Sequence, residues 1–138
     1  MHAEAPTSRF LPHVDYVVTH AGAGTLTALQ LHGKPSLLLP QGGDQPINAA
    51  ACRRVGISVV RFHTVASVIV GVPPGQPMTE TSVAQAFDEL RADDGYRVRA
   101  EAFGAAFRNL PPLEHAVVLI ERLARTRAPV LRPSLANA

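Results

Sequence analysis

The chain has 138 residues, of which 46% are apolar and 17% charged, so its length and composition suit one small domain with a single core. No apolar run approaches the roughly 20 residues of a membrane span, and the first residues lack the basic-then-apolar order of a signal peptide, so we expect a cytoplasmic protein. The net charge is only +2, the arginines are spread along the chain, and only 5% of the residues are aromatic. These features argue against nucleic-acid binding.

The first predicted elements are a strand, a glycine turn and a helix. Residues 1–9 lack periodicity and predict a disordered leader. The apolar run Tyr16–Thr19 is typical of a buried strand, and it leads through His20, Gly22 and Gly24 into a helix rich in Ala and Leu. Glycines let the backbone bend tightly and approach a ligand, and the amide groups at a helix start attract anions. Gly-x-Gly turns also occur in α/β proteins that bind nothing, so this half of the pattern is not decisive alone.

A second strand brings an acid and an amide to the same edge of the predicted sheet. Gly33 closes the helix, and the apolar run Ser36–Leu39 follows as the next strand. Asp44 and Gln45 come soon after it, and loops at the carboxyl ends of neighbouring parallel strands line one crevice. Carboxylate oxygens accept hydrogen bonds from sugar hydroxyls, and a carboxamide both donates and accepts. The pair therefore suits a hexose attached to a phosphate held in the first turn.

These residues form one extended pattern, and the pattern resembles a known signature. Its members are His20, Gly22, Gly24, Thr25, Gly33, Pro35, Pro40, Gln41, Asp44, Gln45, Asn48 and Ala49. The pattern is similar to the donor-binding motif of GT-B glycosyltransferases that use nucleotide-activated sugars. Bacterial enzymes that glycosylate antibiotics and other natural products are the most similar members, and plant enzymes are more distant. Ala28 departs from the plant pattern, which carries a glutamate there for the ribose.

The resemblance implies a role for each part of the motif. In the family, the residue matching His20 both contacts the pyrophosphate and stabilises the negative charge that develops on the diphosphate as it leaves. No metal ligand is implied, and no cofactor beyond the nucleotide sugar, which carries UDP or dTDP. The implied contacts are His20, Gly22, Ala23, Gly24 and Thr25 with the pyrophosphate, and Asp44 and Gln45 with the sugar.

The resemblance also implies what these residues leave out. In the family an amino-terminal Rossmann-like domain binds the acceptor and supplies the general base, usually a histidine. The first half of the carboxyl-terminal domain helps to hold the nucleoside. The chain matches the second half of that carboxyl-terminal, donor-binding domain, so we expect it to be inactive alone.

Periodicity predicts the remaining elements. Pro46–Val55 reads as a helix and Ile57–Val60 as a third strand. In residues 61–78 the apolar half suits an extra strand or a packed loop, and the Pro-Pro-Gly half suits a turn or flexible loop. We assign no function to this segment. Ser82 and Gln85 resemble a capping box at the start of the first of three amphipathic helices. The apolar stripes of these helices are Val83, Phe87 and Leu90; Tyr96, Ala100, Phe103, Phe107 and Leu110; and Leu113, Val117, Ile120 and Leu123.

No metal site or disulfide is predicted. The six histidines stand far apart, without paired cysteines or a His-Glu-x-x-His helix. The single cysteine, Cys52, excludes an internal disulfide. Its place on the helix after Asp44 predicts a small, buried, apolar residue.

The predicted fold is α/β. We expect a Rossmann-like, three-layer half-domain over residues 10–126, with a parallel sheet of at least three strands and about five helices. Residues 127–138 contain two prolines and no periodicity, and predict a disordered tail. In the family the strand at Tyr16 pairs with earlier strands that this chain lacks. Its exposed edge would associate with a second copy or with a separate chain that supplies the acceptor domain.

Glycosyl transfer is the leading functional hypothesis. The chain would bind a nucleoside diphosphate sugar for a hexosyltransferase that modifies a hydroxyl group of a small molecule. One alternative is a sugar-nucleotide epimerase on the same fold. Another is a non-catalytic fragment, or a donor-binding subunit that needs a separate acceptor domain. The residues do not distinguish the nucleoside, the sugar, the acceptor or the stereochemical outcome.

Overall fold

The computed structural model describes residues 7–62 and 78–129. The predictions for residues 1–6, 63–77 and 130–138 lie outside these ranges. Within the described residues from 17 onward, strands alternate with helices before a run of helices, as predicted, whereas the short helical segments before residue 14 were not predicted. The strands are β1 (Val17–Thr19), β2 (Ser36–Leu38) and β3 (Ser58–Val60). The helices are α1 (Thr7–Phe10), α2 (Ala23–Leu31), α3 (Gln45–Arg54), α4 (Glu80–Ala92), α5 (Gly95–Arg108) and α6 (Leu113–Thr126), with a 3-10 turn at Leu11–His13.

The strands form one parallel sheet in the order β1-β2-β3. The register places Val18 beside Leu37 and Leu37 beside Val59. The helices α2 and α3 connect successive strands, as parallel pairing requires. The predicted α/β half-domain with a parallel sheet is therefore confirmed. Each strand is one residue shorter than its apolar run, a difference within the usual uncertainty of strand ends.

The two faces of the sheet pack against different helices. On one face Leu38 and Val60 pack with side chains of α2 and α3. On the opposite face Leu37 and Val59 pack with side chains of α4. Side chains alternate between the two faces of a strand, so the consecutive apolar residues Leu37–Leu38 and Val59–Val60 are buried on opposite sides of the sheet.

Helix α5 packs closely against the carboxyl-terminal end of α2. A Cβ built on Gly104 would lie 2.7 Å from the carbonyl oxygen of Gln30 and 3.0 Å from the Cα of Gly33. Gly33 has a φ of +61°, the left-handed conformation that commonly ends a helix. The guanidinium of Arg108 donates a hydrogen bond to the carbonyl of Leu31. These contacts hold the turn that leads from α2 into β2.

Helix α4 begins earlier than the predicted capping box. Thr79 Oγ1 accepts a hydrogen bond from the N–H group of Ser82 at 3.1 Å, and Ser82 Oγ accepts one from the N–H group of Thr79 at 3.0 Å. Thr79 is therefore the N-cap and Ser82 the third helical residue. The prediction that Ser82 and Gln85 form the box was wrong, because the Ser82 hydroxyl does what a glutamate or glutamine usually does.

The chain divides into two compact units, Met1–Arg108 and Asn109–Ala138. Phe103, in the first unit, packs against the core and stacks on Phe107 with ring centroids 6.2 Å apart, so these aromatics are packing residues as predicted. Leu110 lies beyond the end of α5 and is 58% exposed, unlike the earlier members of its predicted stripe. The second unit contains α6, whose apolar residues are largely exposed: Val117, Val118, Ile120 and Leu123.

Candidate functional site

The turn between β1 and α2 takes its sharp bend at Ala21. Ala21 has a φ of +69° and is fully buried, whereas Gly22, the N-cap of α2, has a φ of −65°. The expectation that Gly22 and Gly24 provide the bend was therefore wrong. A left-handed conformation costs a non-glycine residue about 1 kcal/mol or more, and such strain clusters at functional sites.

The imidazole of His20 lies over Gly22. A Cβ built on Gly22 would be 2.7 Å from His20 Nε2 and 3.4 Å from His20 Cδ2. The His20 side chain is exposed, so the ring is accessible beside the start of α2. Gly22 is needed for the position of this ring rather than for the bend of the backbone.

The start of α2 presents amide groups and open space. The first hydrogen bond within α2 joins the N–H group of Leu26 to the carbonyl of Gly22 at 3.0 Å, so the N–H groups of Ala23, Gly24 and Thr25 precede it. Apart from neighbouring residues and the backbone of α2 itself, no described atom lies within 4 Å of a Cβ built on Gly24. A helical glycine costs about 0.5–1 kcal/mol relative to alanine, and neither packing nor φ requires one here. The open space at Gly24 suits the close approach of an anionic group.

The loop after β2 is held together by its own glutamine. Gln45 Oε1 accepts hydrogen bonds from the N–H groups of Gln41 at 2.9 Å and Gly42 at 3.3 Å. The carboxamide oxygen is therefore engaged within the loop. Among the described residues Gln45 Nε2 has no acceptor, so donation, rather than the expected donation and acceptance, is what this side chain can offer a ligand.

Asn48 joins the two loops. Its Nδ2 donates hydrogen bonds to Asp44 Oδ2 at 2.8 Å and to the carbonyl of Ala21 at 3.3 Å. Asp44 is exposed and occupies the N-cap position of α3, but its side chain makes no capping hydrogen bond. The expected meeting of the two loops at one sheet edge is thereby confirmed. Sequence reasoning gave Asn48 no role, although its position four residues after Asp44 on a helix places the two side chains on one face.

The described residues were also searched for a reactive cysteine, a metal site and a membrane-spanning helix. Burial raises the pKa of the Cys52 thiol, and Gln30 Nε2 lies 3.9 Å from its sulfur, so Cys52 is the small buried residue that was predicted. No described group of three or more His, Cys, Asp or Glu side chains is arranged to hold a metal ion. None of the described helices is long and apolar enough to cross a membrane.

The chain was compared with known proteins. No family model matches it. An O-mycaminosyltylonolide 6-deoxyallosyltransferase of Streptomyces fradiae is 32% identical over 129 residues, which cover 94% of this chain and 28% of that enzyme. A solved kitacinnamycin glycotransferase is 26% identical with a TM-score of 0.66, covering 88% of this chain and 28% of that one. The structure of the glycosyltransferase VinC in complex with dTDP aligns with a TM-score of 0.70 at 23% identity, over 91% of this chain and 28% of that one.

The chain thus spans less than a third of the length of these relatives. The matches nevertheless cover 88–94% of this chain. Sequence similarity to an antibiotic glycosyltransferase and similarity of fold to solved natural-product glycosyltransferases lead to the same family. The chain belongs to the natural-product glycosyltransferases of the GT-B fold, of which it forms a partial domain.

Proposed function

We propose that this chain binds the nucleoside diphosphate sugar of a hexosyltransferase that modifies a hydroxyl group of a small molecule. One observation carries the proposal: the open start of α2 and the exposed carboxylate of Asp44 lie at one sheet edge, joined by Asn48. A donor with a diphosphate next to a sugar needs an anion site beside hydroxyl-binding groups. The relatives named above are transferases, which favours transfer over epimerisation.

The proposed phosphate half consists of His20 and the start of α2. The N–H groups of Ala23, Gly24 and Thr25 and the positive end of the helix dipole would bind the pyrophosphate, and His20 would add a hydrogen bond. As the sugar leaves, negative charge grows on the diphosphate. A well-placed donor stabilises such charge by about 3 kcal/mol, so these groups would lower the barrier without a resident metal or cofactor.

The proposed sugar half consists of Asp44 and Gln45. The exposed carboxylate of Asp44 would accept hydrogen bonds from sugar hydroxyls, and Gln45 Nε2 would donate one. In this arrangement Asp44 accepts hydrogen bonds and Gln45 donates one, because Gln45 Oε1 already accepts hydrogen bonds from the N–H groups of Gln41 and Gly42. Both residues lie at the start of α3, after β2.

The acceptor and its general base would come from a domain outside these residues. In the described sheet β1 has β2 as its single neighbour, and Val18 is 51% exposed. Val18 also lines an apolar depression of about 450 Å³, together with Leu37, Val83 and Phe87. We propose that a further strand and helix cover this edge, supplied by a longer protein or a separate chain, with self-association as the alternative. Alone, the chain should transfer no sugar.

A titration of the chain with UDP and with dTDP, followed by amide shifts in NMR spectra, tests the donor site. We expect shifts at residues 20–25 at millimolar ligand, and weaker ones in Gly24→Ala. Gly42→Ala is the matched control, because that glycine is equally open but lies outside the proposed phosphate half. A folded spectrum in which neither nucleotide perturbs residues 20–25 would contradict the proposal.

A further inference from the structure

We propose that Asn48 is a positioning residue that couples the two halves of the donor site. Its carboxamide holds the Ala21 turn, which carries His20, and the carboxylate of Asp44 in one fixed arrangement. The inference rests on the proposed function for its chemical meaning, but the coupling itself can be measured without any ligand.

The geometry of Asn48 allows both contacts at once. A carboxamide nitrogen carries two protons, and Nδ2 of Asn48 has two acceptors, Asp44 Oδ2 at 2.8 Å and the carbonyl of Ala21 at 3.3 Å. The backbone N–H group of Asn48 donates to the carbonyl of Asp44 at 3.1 Å, so the side chain projects from an ordered turn of α3. Asn48 is half-buried, whereas Asp44 is exposed.

The contact with Ala21 satisfies a buried carbonyl, and the contact with Asp44 restrains an exposed carboxylate. Ala21 is fully buried with a φ of +69°, so its backbone is strained and its carbonyl needs a partner to be satisfied. Asp44 lies at the surface and makes no capping hydrogen bond with α3. The bond from Asn48 limits the rotamers of the Asp44 carboxylate and supports the turn that places His20. A shift in one loop is therefore transmitted to the other.

Substitutions at position 48 distinguish the effect of the two donated hydrogen bonds from the effect of the shape of the side chain. Asn48→Leu keeps the number and branching of the side-chain heavy atoms but removes both donors. Asn48→Asp has the same shape but sets a second carboxylate against Asp44. Asn48→Gln retains the donating amide on a longer stem, so it should restore part of the coupling that Asn48→Leu loses.

The ligand-free test uses amide shifts of the 138-residue chain. Asp44→Ala should perturb the amides of residues 20–24, although those residues lie 20 to 24 positions away in sequence. The same substitution made in Asn48→Leu should add little, because the connection is already broken. Asp88→Ala is the control, since Asp88 is an exposed acid on α4. Unperturbed amides at 20–24 in Asp44→Ala would overturn the proposal even if no variant at position 48 folds.

A second measurement separates positioning from a purely structural role. Calorimetry measures the affinity for UDP or dTDP and the affinity for the corresponding nucleotide sugar. The ratio of these, the affinity for the nucleotide sugar divided by that for the nucleotide, reports how much the sugar half contributes to binding. Asn48→Leu should reduce the affinity for the nucleotide sugar relative to that for the nucleotide by at least about threefold, as we also expect for Asp44→Ala, and the double variant should lose no more than either single one. Asn48→Gln should recover part of the ratio. A ratio unchanged in folded Asn48→Leu would refute positioning, whereas absence of nucleotide binding by the parent would refute only the proposed function.

Discussion

The imidazole of His20 occupies the space that a side chain at position 22 would need. A Cβ on Gly22 would lie 2.7 Å from His20 Nε2, and the backbone there has φ −65° and ψ 140°, which any residue adopts. Substitution at Gly22 therefore displaces a ring rather than straining the chain. The exposed histidine can move aside, so the effect should fall on ligand binding more than on folding.

For Gly22→Ala we expect a loss of about 0.5–1 kcal/mol of stability, because alanine is a poorer N-cap than glycine. Nucleotide affinity should fall as far as in His20→Ala, because the ring leaves its position. Urea unfolding and calorimetry with UDP and dTDP measure the two effects. Unchanged ring proton shifts of His20 in Gly22→Ala would contradict the explanation.

Gly24→Ala should have opposite effects on stability and binding. The new methyl group meets no described atom within 4 Å outside its neighbouring residues and the backbone of α2, and alanine favours a helix over glycine by about 0.5–1 kcal/mol, so the free energy of unfolding should rise by that amount. Nucleotide binding should weaken, because the methyl group enters the space proposed for the phosphate. A variant that is stabilised and binds as tightly as the parent would show that this space is not used.

Gly104→Ala should destabilise the fold by about 1–3 kcal/mol, since its methyl group would collide with the backbone of Gln30 and Gly33 rather than with a movable side chain. Ala105→Ser, on the exposed side of α5, is the matched control and should change stability by less than about 0.5 kcal/mol. Thermal and urea unfolding of both variants provide the measurement. Equal stabilities of the two variants would mean that α5 does not pack against α2 as described.

His20→Ala and Asp44→Ala should separate the two halves of the site. Once the chain is paired with the proposed acceptor domain, His20→Ala should weaken nucleoside diphosphate binding and slow transfer together. Asp44→Ala should leave nucleotide affinity within about threefold of the parent while turnover falls by roughly tenfold to a thousandfold. Calorimetry with the nucleotide and turnover of the nucleotide sugar test this. Loss of nucleotide binding in folded Asp44→Ala, or undiminished transfer, would remove Asp44 from the sugar half.

Cys52 should make stability decrease at alkaline pH. Burial raises the pKa of its thiol in the folded state, so the unfolded chain loses the proton first as the pH rises. The unfolded state then binds fewer protons, and the free energy of unfolding falls above about pH 8.5. Comparing parent and Cys52→Ala between pH 7 and 10 isolates this contribution from other titrating groups. A stability difference that stays constant over that range would contradict it.

Local sequence determined much of this fold. The apolar runs ending at Thr19, Leu39 and Val60 and the turn residues between them were enough to predict parallel strands joined by helices, because strand and helix formation depend on nearby residues. The same reasoning placed His20 and Asp44 at one sheet edge, because all parallel strands present their carboxyl ends there. The start of α4 was misplaced because serine can serve either as a cap or as the third helical residue.

Other features depended on contacts between residues distant in sequence. Glycine at positions 22 and 24 suggested that the tight bend lies there, but the left-handed residue is Ala21, whose carbonyl accepts a hydrogen bond from Asn48, 27 positions away. Gly104 and Gly24 look alike in sequence, yet one is crowded by backbone and the other is open. Propensity describes what a residue permits, whereas its neighbours in the folded chain decide whether that freedom serves packing, a turn or space for a ligand.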